Sequence, residues 1–235
     1  MILGGRVREF VKKAFPFLVP LSRRMRYSCK TPEQVFTEEY RRNRRAWKEK
    51  DSSSGPGSSL AQTEAIRRIL PGLLEELGCR SLLDLPCGDF FWMRLLDLDV
   101  EYTGGDIVEE IVETNRERYA TDRRRFLRLD LLNDDLPRAD LVLCRDCLVH
   151  LSFEHIARAL ANIRASGSKW LLTTTFAGRD RNEDILTGLW RPINLQLPPF
   201  NFPEPTRLID EESPLEDQQD KRLGLWAAAD IPKTD

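Results

Sequence analysis

Apolar and polar positions along this chain follow two periods, about 3.6 residues in some stretches and two in others, with turn residues between them. Over residues 61–77, Ala65, Ile66, Ile69, Leu73, Leu74 and Leu77 fall at helical spacing, with Gly78 as a stop signal and Pro71 as a predicted kink. SLLDL (81–85) then reads as a short buried strand. The alternation continues with a helix over 90–96, a strand over 101–106, a helix over 108–119, and strands over 125–129 and 140–144. A helix over 152–165 with Ser152 as its cap and the β-branched strand WLLTTTF over 170–176 complete it. Strands alternating with helices predict a parallel sheet covered on both faces. After Phe176 the pattern breaks into the Pro-rich stretch RPINLQLPPFNFPEP, followed by TRLID and RLGLWAAADI, two closing strands. The expected fold is therefore α/β and Rossmann-like: a mostly parallel seven-stranded sheet whose last strand is antiparallel.

Composition sets the boundaries. The Ser/Gly/Pro run DSSSGPGSS (51–59) packs as neither helix nor strand and separates residues 1–59 from a body over 60–235. With 41% hydrophobic and 31% charged residues, the 235-residue chain can bury a substantial core. The longest apolar run near the start, Ala14 to Leu21, is broken by Pro16 and Pro20 and is far shorter than the roughly 18 residues of a spanning helix.

The formal net charge of −2 hides an asymmetry: residues 1–50 carry 14 Lys+Arg against 5 Asp+Glu, net +9, leaving net −11 on the rest. Such a basic helical extension suits nucleic acid, an anionic lipid surface or a targeting peptide. It suits equally a solvated helix lying on the acidic body, which is the plainer reading. Arg6 to Arg26, opposed only by Glu9, has the look of a mitochondrial presequence, but no small-residue cleavage site follows a continuous apolar region, so secretion is not expected. Five cysteines argue for a reducing compartment, and a cytoplasmic location is the expectation. Cys144 and Cys147 form a C-x-x-C, yet the only histidines are His150 and His155, so these are expected as structural thiols and no metal site is assigned.

The chemistry concentrates in LLDLPCGDFFWM (82–93). A buried strand ends at Asp84, the chain turns through Pro86, Cys87 and Gly88, and backbone N–H groups face the carboxyl end of the sheet, where open α/β sheets bind ligands. Twenty-two residues on, the second strand ends at Asp106, a carboxylate placed to accept both hydroxyls of a ribose. Pro86 and Phe90 occupy places where G-x-G-x-x-G needs glycine, which argues against a dinucleotide, and no G-x-x-x-x-G-K-[ST] phosphate cradle occurs. A ribose-bearing ligand without phosphate fits, and S-adenosylmethionine is the common one.

Taken together, LLDLPCGDFFWM, YTGGDIVEEIVE (102–113), RLDLLNDDLP (128–137), DLVLCRDCLVHLS (140–152) and RLGLWAAADI (222–231) resemble a class I S-adenosylmethionine-dependent methyltransferase over residues 60–235. The upstream FTEEYRRNRRAW…SSGPGSS stretch (36–59) resembles a bacterial-type subgroup of that family. The resemblance implies that Asp84, Pro86 and Gly88 shape the methionine end of a cofactor site and that Asp106, with Ile107 beside it, holds the ribose. It further implies that Asp130 binds the adenine amino group next to Leu131, and that Asp146 borders the methyl-donor pocket. Pro86 departs from the family's usual glycine and leaves the path of the turn open. Each residue also has a structural reading: Asp84 as a turn cap, Asp106 as a helix cap, Asp130 as part of a solvated acidic loop.

Methyl transfer by in-line displacement asks the protein mainly for alignment and exclusion of water. Where the acceptor must lose a proton, His150 is the candidate base, with Asp146 near it, though His150 fits equally as a packing residue at a helix entry. The place of the [N/D]-P-P-[Y/F/W] of base and amide methylases reads CRDC here, and LPPF (197–200) lies after the fifth strand instead. Trp92, Arg191 and Asn194 are candidate substrate residues, the last two in an aromatic and polar insert that suits a compact polar molecule or merely covers the sheet edge. Trp92 also suits the core, and the basic arm could instead form a lid over the cofactor. The expected activity is methyl transfer to oxygen or nitrogen of a small molecule, without nucleic acid. The alternatives are a nucleic-acid-directed enzyme or binder using the basic arm, and a cofactor-binding subunit without turnover.

Overall fold

A computed structural model describes residues 25–46 and 52–233. The expectations for residues 1–24, including the apolar run and most of the presequence-like stretch, lie outside the described residues.

Helix α1 (Pro32–Ala46) opens with a reciprocal cap. Gln34 N–H donates to Thr31 Oγ1 (3.3 Å), Thr31 N–H donates to Gln34 Oε1 (3.1 Å), and Pro32 takes the first helical position, where its missing N–H costs nothing. Helix α2 (Glu64–Glu76) runs through Pro71 rather than ending there. Its buried face of Ile66, Leu70, Leu73 and Leu74 contributes about 1.5–3 kcal/mol per side chain, enough to outweigh the ~3 kcal/mol of an internal proline. Gly78, at φ 61, ends the turn after it.

Seven strands follow: β1 (Ser81–Asp84), β2 (Glu101–Asp106), β3 (Arg124–Arg128), β4 (Leu141–Cys144), β5 (Trp170–Phe176), β6 (Arg207–Asp210) and β7 (Lys221–Ala227). They lie in the order β3-β2-β1-β4-β5-β7-β6, with β7 antiparallel to both neighbours and the other six running one way. The expected sheet, parallel with an antiparallel last strand, is what forms. Helix α3 (Glu109–Tyr119) follows β2, and α4 (Phe153–Ala165) follows β4, with Ser152 Oγ accepting the His155 N–H at 3.3 Å as expected.

Two apolar layers hold helices to the two faces. Helix α2 and Val112 of α3 pack over Leu82, Leu141, Leu143 and Leu172, whereas Ile156, Ala159, Leu160 and Ile163 of α4 pack over Leu83, Val142 and Leu171 on the other side. No helix among the described residues is long and apolar enough to cross a membrane.

One predicted element is absent. Residues 90–96 form turns with a single 3-10 turn, Met93–Leu95, in place of a helix. Phe90 takes φ 57 and is buried among the rings of Tyr102, Tyr119 and Phe126, with centroids 5.1–5.3 Å away. Burying that ring decides the local path, against the helical hydrogen bonds that the periodicity suggested.

Candidate functional site

The carboxyl ends of β1, β2 and β4 face one cavity of about 990 Å³. Beyond Asp84 the chain turns through a cis Leu85–Pro86 bond to Gly88 at φ 55, where a Cβ would run into Ser54 Oγ. Asp106 fastens this turn to β2. Its Oδ2 accepts the Gly88 N–H at 3.1 Å and its Oδ1 the Val108 N–H at 2.9 Å, so the same carboxylate shapes the β1 turn and the entry to α3. The Tyr102 hydroxyl donates to Asp84 Oδ2 at 2.6 Å. Burial pushes the Asp84 carboxyl up to about 7 against that hydrogen bond, and pushes Asp106 up to about 6 against its two backbone N–H donors.

Pro86, Gly88, Asp84 and Asp106 line the cavity together, with Ile107 beside them and Asp130 and Leu131 on its wall after β3. Both Asp130 oxygens are engaged locally, Oδ1 by the Leu132 N–H (2.9 Å) and Oδ2 by the Asn133 carboxamide (2.6 Å). Trp92 is part of the wall but 7% exposed, with the Arg145 guanidinium 5.9 Å from its ring centroid, so a cation of the protein itself already faces it.

After β4, Asp146 stands at φ 50, a left-handed conformation uncommon for a non-glycine residue. Burial raises its carboxyl pKa, but the Lys221 ammonium at 2.7 Å and the Arg145 guanidinium at 3.3 Å outweigh it and hold the group at about 2. Asp146 is thus a fixed carboxylate rather than a proton acceptor.

His150 lines the same cavity. Its Nδ1 lies 2.9 Å from Leu189 O, and a carbonyl oxygen only accepts, so Nδ1 carries the proton and Nε2 keeps its lone pair. Burial lowers its pKa, with the Leu189 contact opposing, which leaves a neutral imidazole at pH 7.

The structure does not bring Arg191 and Asn194 into the cavity. The buried Arg191 guanidinium donates to Leu148 O (2.9 Å), Leu151 O (2.7 Å) and Glu183 O (3.1 Å), tying the insert to the turn before α4. The Asn194 carboxamide donates to Arg179 O at 3.1 Å. Their polar groups serve backbone left open by an irregular loop, a demand invisible in composition. Trp190 of the same insert is the residue that reaches the cavity, 41% exposed and edge-on to Phe176. The Cys144 and Cys147 thiols remain free; their mutual hydrogen bond and burial push Cys147 well above the ordinary range, which keeps it unreactive.

Sequence reasoning missed the part played by the Ser/Gly loop and by Lys221, and offered the basic arm as a lid over the cofactor only as an alternative. The Ser/Gly loop does not merely separate two parts: Ser54, Gly55 and Gly57 wall the cavity, and the loop is tied down through Asp89, which accepts from Ser52 Oγ (2.8 Å) and Ser53 N–H (2.6 Å). Helix α1 roofs it through Phe36, Tyr40 and Asn43. Lys221, 2% exposed, reaches Asp146 from β7; its signal was a lysine in register with Leu223 and Leu225 on a buried strand face.

No protein-family model and no curated protein sequence matches the chain. Among solved structures it is similar to the Burkholderia thailandensis 1,6-didemethyltoxoflavin-N1-methyltransferase, crystallised with 1,6-didemethyltoxoflavin and S-adenosylhomocysteine: 19% identity, TM-score 0.58, covering 83% of this chain and 86% of that one. The chain has the class I methyltransferase fold. The same fold relates it to human N-acetylserotonin methyltransferase in complex with S-adenosylmethionine, at 14% identity and TM-score 0.51, over 70% of this chain. It spans about half (52%) of that human enzyme, and 66% of the methyltransferase domain of bacterial CtHen1-C, matched at 16% identity, TM-score 0.43 and 48% of this chain. In this methyltransferase fold the cavity lies at the carboxyl ends of the parallel strands, on either side of the point where strand order reverses between β1 and β4.

Proposed function

We propose that the protein is an S-adenosylmethionine-dependent methyltransferase acting on oxygen or nitrogen of a small molecule. One observation carries this reading: the Asp84–Gly88 turn, Asp106, Asp130, Asp146 and His150 all open into one cavity. About 990 Å³ lies at the upper end of small-molecule sites, room enough for donor and acceptor side by side. The residues suit the donor. Asp106 uses two of the roughly four acceptor positions of a carboxylate, leaving the rest for ribose hydroxyls, and Gly88 lets a ligand approach the backbone.

Bound there, S-adenosylmethionine supplies a methyl group on an already activated sulfonium sulfur. Asp106 then orients the ribose, Asp130 and Leu131 border the adenine, and Asp84 lies toward the methionine end. The α1 roof and the 53–58 loop exclude water. His150 Nε2 would take the proton that the acceptor oxygen or nitrogen loses as its bond to the methyl carbon forms and the methyl–sulfur bond breaks, the electron pair staying on the sulfur of the departing S-adenosylhomocysteine. Trp190 supplies an aromatic wall for the acceptor.

Two measurements test this. Calorimetric titration should detect binding of S-adenosylhomocysteine by the wild type and much weaker binding by Asp106→Ala; equal binding by both would remove the ribose assignment. Transfer of a labelled methyl group into cell extract, followed by mass spectrometry, would name the acceptor, and absence of any labelled product across extracts would count against turnover.

A further inference from the structure

Helix α1 turns Tyr40 and Asn43 toward the cavity, and neither side chain has a hydrogen-bond partner among the described residues. Phe36, Tyr40 and Asn43 stand at i, i+4 and i+7, one stripe of the helix, and all three line the same cavity as Asp106. The Tyr40 ring packs on Val108 and Ile111, and the residue is only 7% exposed. Its hydroxyl has no hydrogen-bond partner among the described residues, yet is not sealed inside protein either, since the buried side-chain atoms without a hydrogen bond among the described residues are Arg67 Nε, Arg179 Nε and Glu211 Oε2. The space left to it is the cavity. Burial raises the Tyr40 pKa, with the Arg44 charge opposing and those of Asp89, Glu110 and Asp106 acting in the same direction, which keeps the phenol a donor. The Asn43 carboxamide likewise has no hydrogen-bond partner among the described residues and sits over the 53–58 loop, its Nδ2 being 3.9 Å from where a Gly55 Cβ would lie.

The helix carrying these groups is held in place at several points. Its N-terminus is capped by Thr31 and Gln34, Arg41 is paired with Glu110 of α3, and Glu33 lies 3.3 Å from Arg128 of β3. Val35 and Tyr27 seat on Gly188, where a Cβ would collide with both. Groups held rigidly with unfilled hydrogen-bonding capacity are pre-organised for a ligand, since little ordering remains to be done on binding.

We infer that Tyr40 and Asn43 are ligand-binding residues, hydrogen-bonding the S-adenosyl ligand from α1 while Asp106 holds it from the sheet. Helix α1 is then part of the binding site, not an appendage. This inference rests on the cofactor assignment proposed above, and the experiment separates the two.

The variants are Tyr40→Phe, which removes one oxygen and keeps the packed ring, Asn43→Ala, and Arg45→Ala as a control on the exposed, opposite side of the same helix. S-adenosylhomocysteine is titrated into each by calorimetry, with Asp106→Ala alongside. Loss of one neutral hydrogen bond predicts weakening of roughly 2–10-fold for Tyr40→Phe and for Asn43→Ala, with Arg45→Ala unchanged. Wild-type affinity in both Tyr40→Phe and Asn43→Ala, with Asp106→Ala weakened, overturns the inference and leaves the cofactor assignment standing. Equal weakening by Arg45→Ala would mean that general loosening of the helix is responsible, and also overturns it. A wild type that does not bind S-adenosylhomocysteine overturns both.

Discussion

Lys221, on the antiparallel strand β7, places its Nζ 2.7 Å from Asp146 Oδ2 at the end of β4, seventy-five residues away in the chain. Glu211 Oε2 lies 3.3 Å from the same ammonium, and Arg145 bridges the same two acids, its Nη1 3.3 Å from Asp146 and its Nε 2.6 Å from Glu211. Two cations and two anions balance in a nearly dry space. Removing one of them leaves an uncompensated buried charge, which typically costs about 3–5 kcal/mol. Lys221→Met should therefore lower the thermal midpoint at pH 7 by roughly 6–20 °C, at the 2–4 °C per kcal/mol usual for this chain length. Adding Glu211→Gln should recover part of it. A single variant that melts like wild type would show that the four charges are not coupled.

The neutral His150 imidazole, fixed by the Leu189 carbonyl, predicts a split between binding and chemistry. His150→Asn should lower kcat by about 10²–10⁴ with the acceptor found by labelled transfer, while S-adenosylhomocysteine binds as before. Because burial places the His150 pKa below 6.5, the wild-type rate should stay level through pH 7 and fall at lower pH as Nε2 takes up a proton. A His150→Asn variant that keeps the wild-type kcat would rule out this base.

Asp106 titrates near 6, and only its ionised form accepts two ribose hydroxyls strongly. Wild-type affinity for S-adenosylhomocysteine should rise as pH increases through about 6. Asp106→Asn should lose that dependence and bind about 10–100-fold more weakly, the cost of hydrogen bonds to a charged group. Calorimetry at pH 5, 6 and 7.5 would show a pH-independent wild type if the assignment is wrong.

Asp84 carries a stability cost tied to its position. Its folded pKa of about 7 lies above the 3.8 of the unfolded chain, so between these values the native state binds more protons and stability falls as pH rises. Asp84→Asn, which can still accept from Tyr102, should melt a few degrees above wild type at pH 8, on the order of 1 kcal/mol or more, and the gap should close near pH 4. A variant less stable than wild type at pH 8 would contradict this.

Gly188 stands at φ 97 under Val35 and Tyr27. Gly188→Ala adds both backbone strain and a collision, together about 1–3 kcal/mol, and the segment able to give way is α1. Thermal unfolding and S-adenosylhomocysteine affinity should both decline. Unchanged values for both would mean that the insert does not hold the roof.

Local periodicity and turn chemistry were enough for the order of strands and helices from Ser81 to Ala227, because each element buries one apolar face and the chain records that face at period two or 3.6. The acids at strand ends were legible for the same reason: Asp84 and Asp106 interrupt apolar runs just where a sheet opens to solvent. The helix expected over 90–96 failed because Phe90 is placed by three rings from β2, α3 and β3, none of them near it in sequence. Arg191 and Asn194 misled because a buried polar side chain serving loop carbonyls and one serving a ligand have the same letters.

By itself, then, the amino-acid order determined the doubly covered sheet, the turn after β1 and the carboxylate at the end of β2, all features whose physics is contained within a few neighbouring residues. Only the tertiary structure decided that Lys221 neutralises Asp146, that the Leu189 carbonyl selects the His150 tautomer, and that Tyr40 stands over the site from a helix well upstream of β1. These depend on through-space distances of a few ångströms between distant segments, where dielectric, hydrogen-bond geometry and packing act and sequence separation does not.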